Sequence, residues 1–169
     1  MIFPEREKRK DMEKSSQDKQ PLSHVDASGD ARMVDVGNKK IQNRVAVASG
    51  MIRMAADTMK AIREDQVRKG NVLGVATVAG IQAAKATPAL IPMCHQLPLD
   101  AVRIDFEYQD GGLLATCRVS CQARTGVEME ALTGVSVALL TVYDMCKAID
   151  KEMVLDGIRL DHKHKEDLQ

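Results

Sequence analysis

The feature that most constrains the fold is the stretch from Val127 to about Asp150, in which nearly every residue is apolar or small. A helix that is apolar on all sides has to be buried, so this stretch predicts a helix at the centre of the structure. Its few charges include Glu130, Asp144 and Lys147. Because buried charges are tolerated only when they are paired or used, these three are candidates for chemistry.

The segment before this helix predicts a β-hairpin. Residues 99–108 and 113–122 show period-two alternation, and the turn-forming sequence Asp110-Gly111-Gly112 separates them. Residues 153–160 predict one further short strand. Upstream, apolar residues recur at intervals of three and four from position 41 to position 62, which predicts a helix with one buried stripe.

Between that helix and the hairpin, Lys69-Gly70-Asn71 predicts a break in the chain. The glycine-containing stretch 72–86 predicts a strand or loop that enters a tightly packed helix, which proline residues end. The order of helix, helix, hairpin, buried helix and strand suits an antiparallel sheet with helices packed on one face. The predicted fold class is therefore α+β.

The N-terminal region differs in composition from the rest of the chain. The first twenty residues contain eleven charges of mixed sign, which predicts a disordered extension. Residues 26–29 predict a turn, and residues 33–36 alternate like a short strand. We expect residues 21–169 to form a single domain.

Charge and aromatic content exclude some classes of partner. The chain has 24 basic and 24 acidic residues, so no net charge steers it toward nucleic acid or anionic lipid. Aromatic residues make up only 2% of the sequence, which argues against the stacking platforms of proteins that bind single-stranded nucleic acids. Charged residues also interrupt the apolar stretches too often for the chain to span a membrane.

The four cysteines match neither a CxxC pair nor the framework of a small secreted protein, and no signal peptide is recognisable. We expect reduced thiols and a cytoplasmic location. Cys117 and Cys121 would lie on one face of a strand, where they are either small buried hydrophobes, the interpretation we favour, or a metal pair.

The spacing of the charges in the buried helix suggests their roles. Asp144 and Lys147 are three residues apart and share a helix face, so they form either a buried ion pair or an acid–base group whose pKa the lysine tunes. Glu130 and Asp144 are separated by about 21 Å along a helix axis. One small ligand cannot reach both in one subunit, so they serve different functions or meet in a site between subunits.

Two further segments are candidates. Cys94 and His95 lie between two prolines, where the histidine either binds substrate or shuttles a proton, or is simply hydrogen-bonded in place. Lys69 is either a surface charge at a helix end or a phosphate-binding group. The motifs of P-loop proteins, dinucleotide-binding domains, serine hydrolases, zinc proteases and nucleobase deaminases do not occur. These absences favour metal-free acid–base chemistry.

Several segments are familiar when taken together. They are Lys69-Gly-Asn-Val72, Ala79-Gly-Ile-Gln-Ala-Ala-Lys85, Leu90-Ile-Pro-Met-Cys-His95, Thr125-Gly-Val-Glu-Met-Glu-Ala-Leu-Thr133 and Thr141-Val-Tyr-Asp-Met-Cys-Lys-Ala148. With Leu22-Ser-His-Val-Asp26 and Met33-Val-Asp-Val36, they closely resemble the cyclic pyranopterin monophosphate synthase family, molybdenum cofactor biosynthesis protein C. The resemblance covers about residues 21–160.

The resemblance implies a ferredoxin-like α+β subunit in a homohexamer, a trimer of dimers with the active site at the dimer interface. It implies an enzyme that receives 3′,8-cyclo-7,8-dihydro-GTP from a radical-SAM GTP cyclase. The enzyme converts this intermediate to cyclic pyranopterin monophosphate and releases pyrophosphate. We expect neither a metal nor a cofactor.

Position by position, the resemblance implies that Lys69 and Lys147 are catalytic lysines and that Asp144 is the catalytic acid or base. The residues that it assigns to the substrate are Met93, Cys94, His95, Met129, Glu130, Arg44 and Lys163. Arg44, at the start of the predicted long helix, would hold phosphates.

The C-terminal residues depart from the family pattern. Family members continue past the last strand with a lysine and a glycine-rich run, whereas residues 161–169 contain Lys163 but no glycine. This predicts weaker phosphate binding or closure over the substrate. The alternatives to an active enzyme are a weakened homologue that still binds a guanine nucleotide, and a structural oligomer in which Asp144 and Lys147 form an interface ion pair.

Overall fold

The computed structural model describes residues 30–168, and the elements below all belong to the compact unit that begins at Met33. Within the described range the chain forms four strands and three helices. In chain order they are β1 (Gln42–Arg53), α1 (Ala56–Arg63), α2 (Val72–Leu90), β2 (Leu99–Gln109), β3 (Gly112–Ala123), α3 (Glu128–Cys146) and β4 (Val154–Asp167).

The strands form one sheet in the order β2-β3-β1-β4, and every neighbouring pair is antiparallel. The connection from β1 to β2 passes through α1 and α2, and the connection from β3 to β4 passes through α3. Each connection skips one strand, which is the split β-α-β arrangement of a ferredoxin-like fold. The predicted α+β class is therefore confirmed.

The hairpin and the buried helix lie where the sequence pattern predicts them. β2 and β3 are joined by Asp110 and Gly111, and Gly111 has the positive φ of 75° that a tight turn favours. Along β3, the buried positions alternate with more accessible ones, as expected for a sheet with one covered face. The helix predicted over residues 127–150 is α3, which ends at Cys146.

The helix predicted over residues 41–62 is wrong. The chain forms strand β1 to Arg53 and a separate short helix, α1, from Ala56. β1 lies inside the sheet between β3 and β4, and Ala46, Ala48 and Ile52 on its covered face are fully buried. Arg44 is consequently a strand residue and does not start a helix.

Three other predictions are wrong. The stretch that begins at Val72 is helical from its first residue, and Pro88 lies inside α2 and does not end it. Residues 33–36 do not form a strand. The last strand does not end at residue 160, because β4 continues to Asp167 and pairs with β1 along its length, with two register shifts. The extension over residues 1–20 and the turn at residues 26–29 lie outside the described residues, so they and the domain boundary remain predictions.

Small residues let α3 lie close to its neighbours. A Cβ atom at Gly80 of α2 would lie 2.9 Å from the carbonyl oxygen of Gly134 of α3, and one at Gly134 would lie 2.7 Å from Cys117 Sγ. Both distances are shorter than van der Waals contact, so only glycine permits this approach. α3 is thereby fixed against both α2 and the sheet, which sets the positions of its two ends.

Among the described residues, α3 is the one helix whose length and composition would allow it to cross a membrane. Half of it is buried inside the fold. It packs as the core helix of a globular α+β unit, in agreement with the prediction of a central buried helix.

Candidate functional site

At the C-terminal end of α3, Asp144 lies between two lysines. Lys147 Nζ is 2.7 Å from Asp144 Oδ1, and Lys69 Nζ is 2.7 Å from Asp144 Oδ2. Lys69 also donates to the carbonyl oxygen of Asp144 at 2.7 Å. A lysine that binds a last-turn carbonyl in this way also complements the negative end of the helix dipole. One carboxylate thus organises two ammonium groups.

The loop between α1 and α2 delivers Lys69 to this position. Gly70 has φ of 95°, a left-handed conformation that turns the chain directly after Lys69. The side chain of Asn71 then accepts a hydrogen bond from the Gly74 amide at 2.6 Å and caps α2. The break predicted at residues 69–71 is therefore confirmed, and it places a lysine against the end of α3.

A buried residue holds this region in place. Asp150, just beyond α3, accepts hydrogen bonds from the Ala55 amide at 2.9 Å and from the Thr58 hydroxyl at 3.1 Å, and so ties the start of α1 to the end of α3. These hydrogen bonds, the one from Ala55 foremost, lower the pKa of Asp150. Asp150 was not among the predicted site residues; the available signal was an acidic residue directly after a buried helix.

The prediction that Asp144 and Lys147 are buried is wrong. The side chain of Asp144 is 57% exposed, and those of Lys69 and Lys147 are 45% and 54% exposed. The neighbouring Met145 and Cys146 are the residues that face the core. In this chain the three charged groups therefore lie on an open surface that a substrate or another subunit can cover.

The electrostatics of this group are dominated by its own contacts. Hydrogen bonds from Lys147 and then Lys69 lower the pKa of Asp144 to about 2. The same contact with Asp144 raises the pKa of Lys147. At neutral pH the group consists of an ionised carboxylate with a protonated Lys147 beside it, so it holds a proton donor and a proton acceptor in contact.

The N-terminal end of α3 has a different character. Glu130 is only 3% exposed. Burial raises its pKa, and the charge of the neighbouring Glu128 adds to that effect. Burial and then the charge of Glu130 raise the pKa of the Cys94 thiol, which places Cys94 near this carboxyl group. Cys94 is therefore a protonated thiol at neutral pH and a poor nucleophile.

Three further predicted substrate residues are neighbours in sequence of Cys94 or Glu130: Met93, His95 and Met129. His95 Nε2 donates to the carbonyl oxygen of Val34 at 2.8 Å, which fixes the orientation of the ring. His95 lines a cleft of about 270 Å³ together with residues 96–98 and 122–125. Met93 is half-buried, and Met129 is exposed at the first turn of α3.

A second cleft, of about 340 Å³, is rich in positive charge. It is lined by Arg44, Val45, Gly126, Glu128, Lys163, His164 and Lys165. Arg44 donates to the carbonyl oxygens of Ala123 and Arg124 at 3.5 and 3.4 Å, and Lys163 Nζ lies 3.3 Å from Glu128 Oε1. The structure thus brings Arg44 and Lys163 together, as expected for a phosphate site. Lys165 was missed because the tail was not recognised as a strand, and Glu128, in the first turn of α3, was not singled out either.

Within one chain, the groups at the two ends of α3 lie far apart. Glu130 and Asp144 both lie on α3, so about 21 Å of helix axis separates them. Asp144, Lys69 and Lys147 form one group, and the residues around Glu130 and the basic cleft form another. In residues 30–168 no cluster of three or more His, Cys, Asp or Glu side chains is arranged to hold a metal ion.

The fold and these groups define a class of protein: a ferredoxin-like α+β subunit with an exposed acid–base group at one end of its core helix and a cationic cleft at the other. The chain belongs to the MoaC family, which residues 33–166 match. It is also similar to the cyclic pyranopterin monophosphate synthase of Novosphingobium aromaticivorans. That relative is 58% identical over 142 residues, which cover 84% of this chain and 90% of the relative.

Proposed function

We propose that this chain converts 3′,8-cyclo-7,8-dihydro-GTP to cyclic pyranopterin monophosphate and pyrophosphate at a site divided between two subunits. The activity is that of a cyclic pyranopterin monophosphate synthase in molybdenum cofactor biosynthesis, and it rests on the family and on the 58% identical relative. A radical-SAM GTP cyclase would supply the substrate, and we place both enzymes in the cytoplasm.

The observation that carries the divided site is the separation of the two groups along α3. A substrate the size of a nucleotide has to contact the acid–base group and the phosphate-binding cations together, and about 21 Å of helix prevents this in one chain. A symmetric contact between two subunits can place the C-terminal end of α3 from one subunit beside the N-terminal end of α3 from the other. The divided site therefore requires at least a dimer.

Exposed apolar side chains support an oligomer. Val75 and Val78 lie one turn apart on α2, Leu140 lies on α3, and all three are exposed. Exposed apolar residues grouped on helices are typical of surfaces that another protein covers. We propose the hexamer, a trimer of dimers, that the family resemblance implies.

The acid–base group would move protons during ring opening and pyranopterin formation. The ionised Asp144 accepts a proton, and Lys69 or Lys147 donates one from an ammonium group already held at 2.7 Å from the carboxylate. The two lysines also supply positive charge where an oxyanion develops. No metal or cofactor takes part in this proposal.

At the other end, the substrate would be recognised by its two parts. Glu130, Cys94 and His95 offer hydrogen bonds to the guanine-derived ring, while Met93 and Met129 offer apolar contacts. Arg44 and Lys163 would hold the phosphates and stabilise the charge of the departing pyrophosphate. A ring that is held without aromatic stacking is consistent with an aromatic content of 2%.

Subunit complementation tests the divided site. The variants Asp144→Asn and Glu130→Gln are each expected to be inactive when supplied with the cyclised intermediate. In mixed oligomers, some sites combine an intact Asp144 from one subunit with an intact Glu130 from the other. Random mixing of equal amounts produces this combination in about a quarter of the sites, which should recover activity. Pyranopterin formation and pyrophosphate release are the measurements.

The matched control mixes Asp144→Asn with Lys147→Ala. Both changes fall in the same half of the proposed site, so no mixed oligomer contains a fully intact site and activity should stay absent. Recovery in this control, or no recovery in the first mixture, contradicts a site shared between subunits. Absence of product from the wild-type chain would contradict the function itself.

A further inference from the structure

We propose that Lys165 is a third phosphate-binding cation, which acts beside Arg44 and Lys163 in the basic cleft and grips the polyphosphate of the substrate. This inference rests on the proposed function and deepens it. It assigns a role to the C-terminal segment whose sequence predicted weaker phosphate binding.

The position of Lys165 follows from the pairing of β4 with β1. Ala46 pairs with Lys163 and Arg44 pairs with Lys165, so the three cations lie on one face of two adjacent strands. Ala46 is fully buried, which identifies this face as the one that the helices cover. Both lysines and Arg44 accordingly line the same cleft of about 340 Å³.

The three cations differ in what already engages them. Arg44 donates to two backbone carbonyl oxygens, and Lys163 is paired with the carboxylate of Glu128. Across the part of the chain that the structure describes, no ion pair engages Lys165. Within residues 30–168, Lys165 therefore contributes positive charge to the cleft that no ion pair offsets.

Pyrophosphate carries several negative charges, and charge-assisted hydrogen bonds from several cations are the usual way to bind it. Glu128 offsets one of the charges in this cleft, so Arg44 and Lys163 alone leave little net attraction. Lys165 restores it. A side chain on a strand thus takes the part that backbone N–H groups of a glycine-rich run would play.

A plainer explanation of Lys165 is protection of a sheet edge. β4 is an edge strand, and lysines on such strands hinder unwanted pairing with other chains. That explanation requires only an exposed charge somewhere on the strand. It does not require the lysine to share a cleft with Arg44 and Lys163, and it predicts no effect on phosphate binding.

The test is calorimetric titration of the full chain with inorganic pyrophosphate. Lys165→Gln should weaken binding by about tenfold, as expected for the loss of one charge-assisted contact. Lys165→Arg should retain most of the affinity because it keeps the charge. Lys60→Gln, which removes an equal charge from exposed α1, should bind like the wild type.

Turnover of the cyclised intermediate gives a second readout. Lys165→Gln should raise the KM by a similar factor and leave kcat nearly unchanged, because Lys165 does not touch the acid–base group. Wild-type affinity in Lys165→Gln, an equal loss in Lys60→Gln, or no binding of pyrophosphate to the wild type would overturn the inference. If Lys165 governs pyrophosphate binding but no pyranopterin forms, the phosphate site stands and the proposed function fails.

Discussion

The two ends of α3 differ in how their charged groups are paired. At the C-terminal end, the exposed carboxylate of Asp144 forms ion pairs with two lysines of the same chain. At the N-terminal end, a carboxyl group is buried while cations gather in an open cleft, and no ion pair among the described residues involves Lys165. In the proposed function, the first end is assembled before substrate arrives, whereas the second is completed by an anion.

The largest effect should come from the C-terminal end. Asp144→Asn keeps the shape of the side chain but removes the proton acceptor and the charge that organises both lysines. Turnover should fall by about a thousandfold, as expected for a lost general acid or base. Pyrophosphate release from the cyclised intermediate measures it.

Asp156→Asn is the matched control. Asp156 also forms an exposed ion pair, with Arg53 at 3.1 Å, but it lies at neither end of α3. Turnover should remain unchanged in this variant. If Asp144→Asn were as active as Asp156→Asn, the assembled acid–base group would be no more than a surface ion pair.

The next largest effect concerns stability. Asp150→Ala leaves the Ala55 amide and the buried Thr58 hydroxyl without their acceptor, which should lower the free energy of unfolding by about 2 kcal/mol. Urea denaturation measures it, with the exposed Asp105→Ala as the control. Because the pKa of Asp150 is lowered in the folded chain, its contribution is present above the ordinary aspartate pKa and is lost as the pH falls through the lowered value.

Residue spacing predicts which side chains of a helix can pair, but it does not predict whether they are exposed. The i, i+3 spacing revealed the pair of Asp144 and Lys147, but not its exposure, because an apolar stretch does not say where its last turn leaves the core. The sequence suggested Lys69 as a surface charge or a phosphate-binding group, but only the family resemblance implied that it is catalytic. No local signal shows that the loop of Gly70 turns a lysine back onto another helix.

The strands show the same limit. The hairpin was predictable because its alternation is regular and an Asp-Gly turn separates its halves. β1 was not, because small and apolar residues occupy both of its faces, and their spacing also matches a helix. β4 is polar almost throughout, so its pairing with β1, which backbone hydrogen bonds hold, leaves no hydrophobic pattern. Missing that strand meant missing Lys165.

A pH titration sharpens the contrast at the C-terminal end. The carboxyl carbon of Asp144 should titrate with a pKa of about 2 in the wild type by NMR. In Lys147→Met the strongest hydrogen bond is lost, so the pKa should rise toward the ordinary range of aspartate. Because the folded-state pKa is lowered, the paired form exists above that value and is lost only as the pH falls through it. An unchanged titration in Lys147→Met would mean that Lys69 alone organises the carboxylate.

The smallest effect tests the open end. Glu128→Gln removes the carboxylate that lies 3.3 Å from Lys163 and offsets part of the positive charge of the cleft. Exposed ion pairs contribute little to stability, so the fold should be unaffected. The freed ammonium of Lys163 becomes available to an anion, and the affinity for inorganic pyrophosphate should increase by about threefold.

Glu166→Gln removes an equal charge from β4 but does not line the cleft, so it should bind pyrophosphate like the wild type. Weaker binding in Glu128→Gln would mean that Glu128 holds Lys163 in its binding position, and that both ends of α3 are assembled before substrate arrives.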